Sequence, residues 1–281
     1  MKFTYFQSVQ GTQLAVAGGE HWYGAGSDPL EVHLQGGADL CEMGRRAIER
    51  GERVTLPTSL LPMIIHPPKI VCVGLNYADH VSEGGRTRPE YPAFFLRLRT
   101  GLLGHGEAMR IPRVSEQLDF EGELAAVIGK RGRYIDKADA LSHVAGYTIF
   151  NDGSVRDYQR RTQQWTLGKN FDATGPLGPC FVTADELPPG GKGLRIRTLL
   201  DDQVVQEAST SDMIFDVATV IAAISEAMTL EPGDVIATGT PSGVGAWRKP
   251  PLWMRAGSEC KVEIERIGTL RSPIAAEHLP S

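Results

Sequence analysis

The stretch from Leu118 to Gly129 constrains the fold and function of this chain more than any other, because it has the period of a β-strand. Apolar or small residues occupy positions 118, 120, 122, 124, 126 and 128. The opposite face carries Asp119, Glu121 and Glu123 in succession. The Cα atoms of Glu121 and Glu123 would lie about 6.6 Å apart, at twice the rise of a strand. We therefore predict a strand with one core face and one acidic face.

The paired glutamates have two interpretations. Adjacent carboxylates repel each other unless a cation lies between them. No His or Cys lies near Glu121 and Glu123 to favour a softer metal, so the pair favours Mg²⁺, Mn²⁺ or Ca²⁺. The alternative is an acidic strand face in solvent, which is common in antiparallel sheets.

Composition excludes several classes of partner. The 281 residues are 41% hydrophobic and can bury a substantial core, but the net charge of −5 provides no basic surface for nucleic acid or an anionic membrane. The four cysteines are scattered without a C-x-x-C pair, so we expect neither a zinc site nor a disulfide framework. No signal-peptide pattern and no run of 18 apolar residues occurs, so we expect a cytoplasmic protein.

Pro67-Pro68 marks a predicted boundary between two domains. Residues 1–66 would form a small N-terminal domain of short strands and one helix, from about Asp39 to Gly51. Residues 67–281 would form the larger domain, and the residues that suggest chemistry all lie there.

A histidine and a glutamate lie on a short predicted helix that follows a buried strand, Ile70 to Val73. His80 and Glu83 are three residues apart, so the carboxylate can contact the imidazole, fix its tautomer and raise its basicity. Gly84-Gly85 would end the helix and leave it mobile. The alternative is an exposed histidine at a helix end beside an acidic neighbour.

A second predicted strand, from His143, ends at Asp152. A carboxylate at a strand end is a frequent ligand contact, although Asp152 can equally serve only the turn. The next helix would have Ser154 as its N-cap and carry Arg156 and Arg160 on one face, toward an anionic substrate or toward solvent.

Two further segments add charge and backbone donors. Lys169 lies among apolar and small residues, where it can balance carboxylates or extend to the surface. A buried strand, Val235 to Thr238, leads into the glycine-rich loop from Gly239 to Gly245. The loop lacks the Gly-Lys-Ser/Thr of a nucleotide P-loop, but its N–H groups can bind an anion. The last predicted strand is Lys261 to Ile267.

Six motifs, in this order, resemble the fumarylacetoacetate hydrolase family. They are GLNYADH from Gly74, FEGELA from Phe120, ND from Asn151 with RD from Arg156, TLGK from Thr166, SDMIF from Ser211 and TGTPSGVG from Thr238. The resemblance spans about Lys69 to Ile274 and is loose before residue 67. It implies a β-rich α+β fold, a mixed β-sheet roll with a small N-terminal α+β domain, usually paired as a homodimer.

The resemblance also implies a metal site and a substrate class. One Mg²⁺ or Mn²⁺ would be held by Glu121, Glu123 and Asp152, and would chelate the carboxylate and 2-oxo oxygen of a 2-oxo acid. Lys169 would offset the negative charge of three carboxylates around a +2 ion. Arg97, where many members have lysine, would contact the distal part of the substrate.

The pair of His80 and Glu83 resembles the lid dyad of hydrolytic and decarboxylating members, which isomerase-type members generally lack. It favours cleavage of a C–C bond in an acylpyruvate-like 2,4-dioxo acid to pyruvate and a second carboxylic acid, in aromatic or sugar-acid catabolism. His80 would activate water, Lys169 would stabilise the enolate, and Arg156, Gly239 and Thr240 would bind substrate. The alternatives are decarboxylation of oxaloacetate or a related dioate, enol–keto isomerisation, and a sensor of 2-oxo acids without turnover.

Overall fold

The computed structural model describes residues 1–277, which form eighteen strands and six α-helices joined by turns and short 3₁₀ segments. The strands are β1 (Lys2–Ser8), β2 (Gly11–Gly18), β3 (His21–Gly26), β4 (Arg53–Val54), β5 (Ile70–Gly74), β6 (Ala93–Arg97), β7 (Leu102–Leu103), β8 (Met109–Ile111), β9 (Leu118–Asp119), β10 (Gly122–Ile128), β11 (Val144–Asn151), β12 (Ser154–Val155), β13 (Gly175–Thr183), β14 (Arg195–Leu200), β15 (Gln203–Ser209), β16 (Val235–Ala237), β17 (Glu259–Ile264) and β18 (Gly268–Ala276). The helices are α1 (Leu30–Gln35), α2 (Leu40–Arg50), α3 (Ala78–Glu83), α4 (Arg156–Gln159), α5 (Thr166–Lys169) and α6 (Val217–Ala227).

A mixed sheet of eleven strands forms the centre of the molecule. Ten of its strands follow the order β4-β3-β2-β1-β13-β11-β10-β16-β5-β6, and β7 pairs with β13. The pairs β16–β5 and β13–β7 are parallel, and the other neighbours are antiparallel. A second sheet has the order β15-β14-β17-β18-β8, and β9 pairs with β12 alone. The predicted β-rich α+β fold with a mixed sheet is confirmed.

Strand β10 is buried on both faces, which corrects the expectation of a core face opposite a charged face. Leu124, Ala126 and Ile128 pack toward the second sheet and α6. Ala125 and Val127 pack on the other side of the sheet, in a core cluster that includes residues of α1 and α2. The solvent-exposed alternative for the acidic residues is therefore wrong.

The predicted continuous strand from 118 to 129 is also interrupted. It consists of β9 and β10, separated by Phe120 and Glu121, because β9 pairs with β12 while β10 joins the central sheet. The break leaves Glu121 and Glu123 at the start of β10, beside the end of β11.

The N-terminal segment continues the central sheet, since β1 pairs with β13 through Phe3 and Phe181. Residues from both sides of the predicted boundary share one core cluster. The division into domains 1–66 and 67–281 stays a prediction.

Some other local predictions agree with the structure and others differ from it. Helix α2 has Asp39 as N-cap and Gly51 as C-cap, as the sequence predicts. The helix predicted after Asp152 is present as α4, but its N-cap is Val155 and the predicted N-cap, Ser154, lies in β12. The predicted last strand corresponds to β17, and β18 follows it.

The longest α-helices, α2 and α6, have 11 residues each. Within residues 1–277, no helix combines the length and the apolar character that a membrane crossing requires.

Close contact between the two sheets at Gly122 generates a prediction about stability. A Cβ at Gly122 would lie 2.9 Å from Cγ1 of Val262 and still closer to Oγ1 of Thr198. We expect Gly122→Ala to lower the free energy of unfolding by about 1–3 kcal/mol through overpacking, measured by urea denaturation. Gly24→Ala is the control, because the nearest atom to its Cβ would be 3.7 Å away. Equal stability of the two variants would contradict the close packing of the sheets at this point.

Candidate active site

Antiparallel pairing of β10 with β11 brings three carboxylates together. Gly122 is the partner of Asn151, so the start of β10 lies beside the end of β11. The N–H of Asp152 donates to the carbonyl of Glu121 at 2.9 Å, and the N–H of Glu121 donates to Oδ1 of Asn151 at 3.0 Å. One carboxylate oxygen each of Glu121, Glu123 and Asp152 lies within 4.8 Å of the others, and all three residues are buried.

Three buried cations surround these carboxylates. The ammonium of Lys169 donates to Oε2 of Glu121 and, at 2.5 Å, to Oδ2 of Asp152. Nη1 of Arg97 donates to Oδ1 of Asp152 at 2.6 Å. Nη2 of Arg156 lies 2.6 Å from Oε1 of Glu121.

Glu123 differs from the other two carboxylates because it forms no ion pair among the described residues. Its Oε2 accepts a hydrogen bond from the N–H of Gly239 at 2.8 Å. Burial and the charges of Asp152 and Glu121 raise the pKa of Glu123 well above its usual range. Burial alone would also raise the pKa of Glu121, but the charges of Arg156 and Lys169 lower it to about 2.

The donor set fits a hard divalent cation. It consists of carboxylate oxygens alone, which suits Mg²⁺ or Mn²⁺ better than a softer metal. With Asp119, which lies beside Arg156, four buried carboxylates face only three buried cations. A divalent ion would remove the uncompensated charge at Glu123. The identity of the ion and its ligands Glu121, Glu123 and Asp152 stay a proposal.

His80 lies in the same cavity, but the predicted hydrogen bond to Glu83 is not formed. Nδ1 of His80 is 3.9 Å from Oε2 of Glu83, which instead accepts from the N–H of Gly243 at 2.9 Å. Burial and the charges of Arg156 and Lys169 lower the pKa of His80 to about 3. The imidazole is therefore neutral near pH 7, and its basicity is lowered, contrary to the expectation from the helix spacing.

The cavity has a volume of about 580 Å³ and an arginine-rich wall. Arg86, Arg160 and Arg161 line it, in addition to Arg156. Its other charged or titratable lining residues are the three carboxylates, Lys169 and His80. The lining therefore carries positive charge in addition to the cations that pair with the three carboxylates.

The four predicted substrate contacts have different positions. Thr240 and Arg156 line the cavity. Arg97 is not among its lining residues; it lies behind Asp152, and its Nη2 donates to Oγ1 of Thr174 at 2.8 Å. The N–H of Gly239 is directed to Glu123. Arg97 and Gly239 thus donate to carboxylates in this structure, and their role as substrate contacts stays a prediction.

Sequence reasoning missed two residues at this site. Asp119 is fully buried and accepts hydrogen bonds from Arg156 and from the N–H groups of Gly245 and Ala246. Trp247 lines the cavity and stacks on His80. The position of Asp119 two residues before Glu121 was a usable signal, whereas Trp247 follows the glycine-rich loop without any pattern of its own.

Comparison with known proteins identifies the family of this chain. A model of the fumarylacetoacetate (FAA) hydrolase C-terminal family matches residues 69–275. The chain belongs to the fumarylacetoacetate hydrolase family. The matched region contains all the family motifs that the sequence displays, including the three carboxylates and Lys169.

Members of the fumarylacetoacetate hydrolase family that resemble this chain carry different activity names. The mitochondrial oxaloacetate tautomerase of Xenopus laevis is 39% identical over 250 residues, which cover 87% of this chain and 78% of that protein. The structure of fumarylacetoacetate hydrolase from Exiguobacterium antarcticum is 35% identical with a TM-score of 0.86, covering 99% of this chain and all of that one. 5-Carboxymethyl-2-hydroxymuconate delta-isomerase from Mycobacterium smegmatis is 31% identical with a TM-score of 0.78, at the same coverage.

Loss of one carboxylate tests the metal site directly. We expect Glu123→Gln to lower the affinity for Mg²⁺ by at least about 100-fold, since even loss of groups outside the ligand set costs 10–100-fold. Isothermal titration calorimetry measures the affinity, and circular dichroism checks the fold. Glu116→Gln, at a residue exposed to solvent, is the control. Unchanged Mg²⁺ affinity in Glu123→Gln would refute the assignment.

Loss of Lys169 should raise the affinity for Mg²⁺, whereas loss of Glu123 should lower it. Its ammonium occupies carboxylate oxygens that a divalent ion would use, on Glu121 and Asp152. We expect Lys169→Met to bind Mg²⁺ at least about fivefold more tightly, because a unit charge about 4 Å away is worth about 1 kcal/mol even in high dielectric. Calorimetry with the exposed variant Lys137→Met as control measures this effect. Weaker binding in Lys169→Met would mean that the lysine supports the metal ligands instead of competing for them.

Proposed function

We propose that this protein is a Mg²⁺- or Mn²⁺-dependent tautomerase that interconverts the keto and enol forms of oxaloacetate or a similar 2-oxo dicarboxylate. The observation that carries the proposal is the state of His80. Its imidazole is neutral, lines the cavity and lacks a hydrogen bond to Glu83. Such a group can take one proton from a C–H bond that a bound metal has acidified, and it lacks the carboxylate partner that would help it to activate water. The name of the Xenopus laevis relative supports the same choice.

The metal and Lys169 have separate tasks in this proposal. A divalent ion at Glu121, Glu123 and Asp152 would supply positive charge near the 2-oxo group and so acidify the neighbouring C–H. An ammonium has three N–H donors. Two of those of Lys169 are directed to Glu121 and Asp152, which leaves one for the 2-oxygen of the substrate.

Proton transfer follows from these positions. In the keto-to-enol direction, His80 accepts a proton from C3 and the C–H electron pair forms the C2=C3 bond. The 2-oxygen then takes a proton from Lys169, and the imidazolium returns its proton to Lys169 by way of solvent. Burial would lower the pKa of Lys169, but Asp152 and Glu121 raise it above its ordinary value, so the donor is charged at neutral pH.

The arginine-rich wall supports a dicarboxylate substrate. Arg86, Arg160 and Arg161 line the cavity, and among the described residues none of them forms an ion pair with the three carboxylates. Oxaloacetate carries a second carboxylate for such a wall, whereas a simple acylpyruvate ends in an uncharged acyl group. Guanidinium groups bind carboxylates with paired donors, so the wall favours the dianion.

Hydrolysis of a 2,4-dioxo acid is the second candidate, and one observation favours it. Oε2 of Glu83 is only 3.9 Å from Nδ1 of His80, so a small shift would form the dyad that water activation requires. In that case His80 would take a proton from water and the hydroxide would attack the 4-carbonyl. A role in aromatic or sugar-acid catabolism belongs to this candidate. The homodimer and the cytoplasmic location stay predictions from the family resemblance and composition.

The purified protein with Mg²⁺ distinguishes the candidates. We expect it to accelerate loss of the ultraviolet absorbance of enol-oxaloacetate without releasing pyruvate from oxaloacetate or acetylpyruvate. His80→Ala should lower kcat by about 10²–10⁴-fold, the usual contribution of a positioned acid–base group, while Glu83→Gln should change it little. His21→Ala, at an exposed histidine on β3, is the control.

Other results would assign the protein to a different class of enzyme. Release of pyruvate from acetylpyruvate, with equal losses in the His80 and Glu83 variants and no acceleration of tautomerisation, would assign the protein to the hydrolases. Release of pyruvate and CO₂ from oxaloacetate would assign it to the decarboxylases.

A further inference from the structure

We infer that Trp247 is the positioning residue for His80, and that Asp119 acts through Trp247 to hold the imidazole at the carboxylate cluster. The inference rests on the proposed function, because it concerns the proton carrier of that reaction. It differs from the family-derived expectation, in which Glu83 orients the imidazole.

Helix α3 is too short to define the position of His80 by itself. It has six residues, and no side chain of the described residues caps its first turn. Isolated helices of this length are unstable in water, so contacts from elsewhere must hold it. Glu83 makes one such contact, but with the N–H of Gly243 and not with the imidazole.

Trp247 supplies the contact with the imidazole. The ring centroids of His80 and Trp247 are 4.5 Å apart, with an angle of 33° between the planes. The indole also covers the end of α3, where a Cβ on Gly84 would lie 2.7 Å from its Cη2. The indole of Trp247 therefore contacts both the imidazole and the end of the helix that carries it.

Asp119 accepts hydrogen bonds from the backbone of the segment that carries Trp247. Its Oδ1 accepts from the N–H of Gly245 at 2.8 Å, and its Oδ2 accepts from the N–H of Ala246 at 3.0 Å. These residues form the 3₁₀ turn Gly245–Trp247. A carboxylate that binds two consecutive N–H groups fixes the direction in which the next side chain leaves the backbone.

The same carboxylate also connects to the metal ligands. Oδ2 of Asp119 accepts from Nε of Arg156 at 2.8 Å, and Nη2 of Arg156 lies 2.6 Å from Oε1 of Glu121. Asp119 thus links the carboxylate cluster to the support of the imidazole through contacts that bypass α3. A displacement of about 1 Å at a catalytic group can cost 10²-fold in rate, so this linkage matters for turnover.

Substitutions of Trp247 test the inference. We expect Trp247→Leu to lower kcat by about 10- to 100-fold with little change in KM or in Mg²⁺ affinity. Trp247→Phe should recover most of kcat, since it keeps an aromatic face. Hydrogen exchange of residues 78–84 should be faster in Trp247→Leu than in wild type. Trp22→Phe, at a tryptophan on β3, is the control.

Asp119 is tested by Asp119→Asn, which should reproduce the effects of Trp247→Leu on kcat and on exchange of residues 78–84. If Asp119→Asn does not fold, Gly84→Ala provides a second test. Its Cβ would lie 2.7 Å from Cη2 of Trp247, so it should displace the indole and give the same two effects. A rise in KM with unchanged kcat would make Trp247 a substrate contact and overturn the inference. So would unchanged exchange of residues 78–84 in the Trp247 variants.

Failure of the proposed function would be distinguishable from failure of the positioning role. A wild-type protein without tautomerase activity would refute the function, whereas the exchange measurement would still decide whether Trp247 and Asp119 hold α3.

Discussion

The need to neutralise buried carboxylates governs the organisation of this molecule. Asp119, Glu121, Glu123 and Asp152 are all buried, and Arg97, Arg156 and Lys169 offset three of the four charges. Burying a carboxylate without a partner is costly, so the pKa of Glu123 is raised, and a bound cation would relieve the same deficit. A hard divalent ion bound at these carboxylates would therefore offset the negative charge that the three cations leave.

The sheet makes this concentration of charge possible. β10 is packed on both faces and paired on both edges, with β11 and β16, so the segment that carries the glutamates is held rigidly. Asp152 follows the partner strand directly and falls opposite Glu121 because the pairing is antiparallel. Gly122 allows the second sheet to approach closely. Rigid elements hold charged groups at fixed distances more accurately than loops do.

The imidazole is held in a different way, and this difference bears on the chemistry. His80 is on a helix of six residues, stacked on Trp247, with a pKa lowered to about 3 by burial and by Arg156 and Lys169. A neutral imidazole with a low pKa and no carboxylate partner is a weak base, and it is therefore a poor activator of water. Relatives of this chain carry different activity names, and the support of this histidine is a place where such proteins can diverge.

The sequence by itself determined the β-rich fold class, the acidic stretch and the segments that carry His80, Lys169 and Asp152, because these depend on local period and on motifs of the family. It also predicted that Glu121 and Glu123 act together, since a spacing of two in a strand is a local property. Only the tertiary structure decided that both faces of β10 are buried, that Arg97 supports Asp152 from behind, and that Glu83 binds Gly243. The hydrogen bonds of Asp119 to the backbone of Gly245 and Ala246 and the contact of Trp247 with His80 were equally decided there. These features depend on which distant segments meet, and residue spacing along one chain carries no information about contacts between Asp119 and Gly245 or between His80 and Trp247.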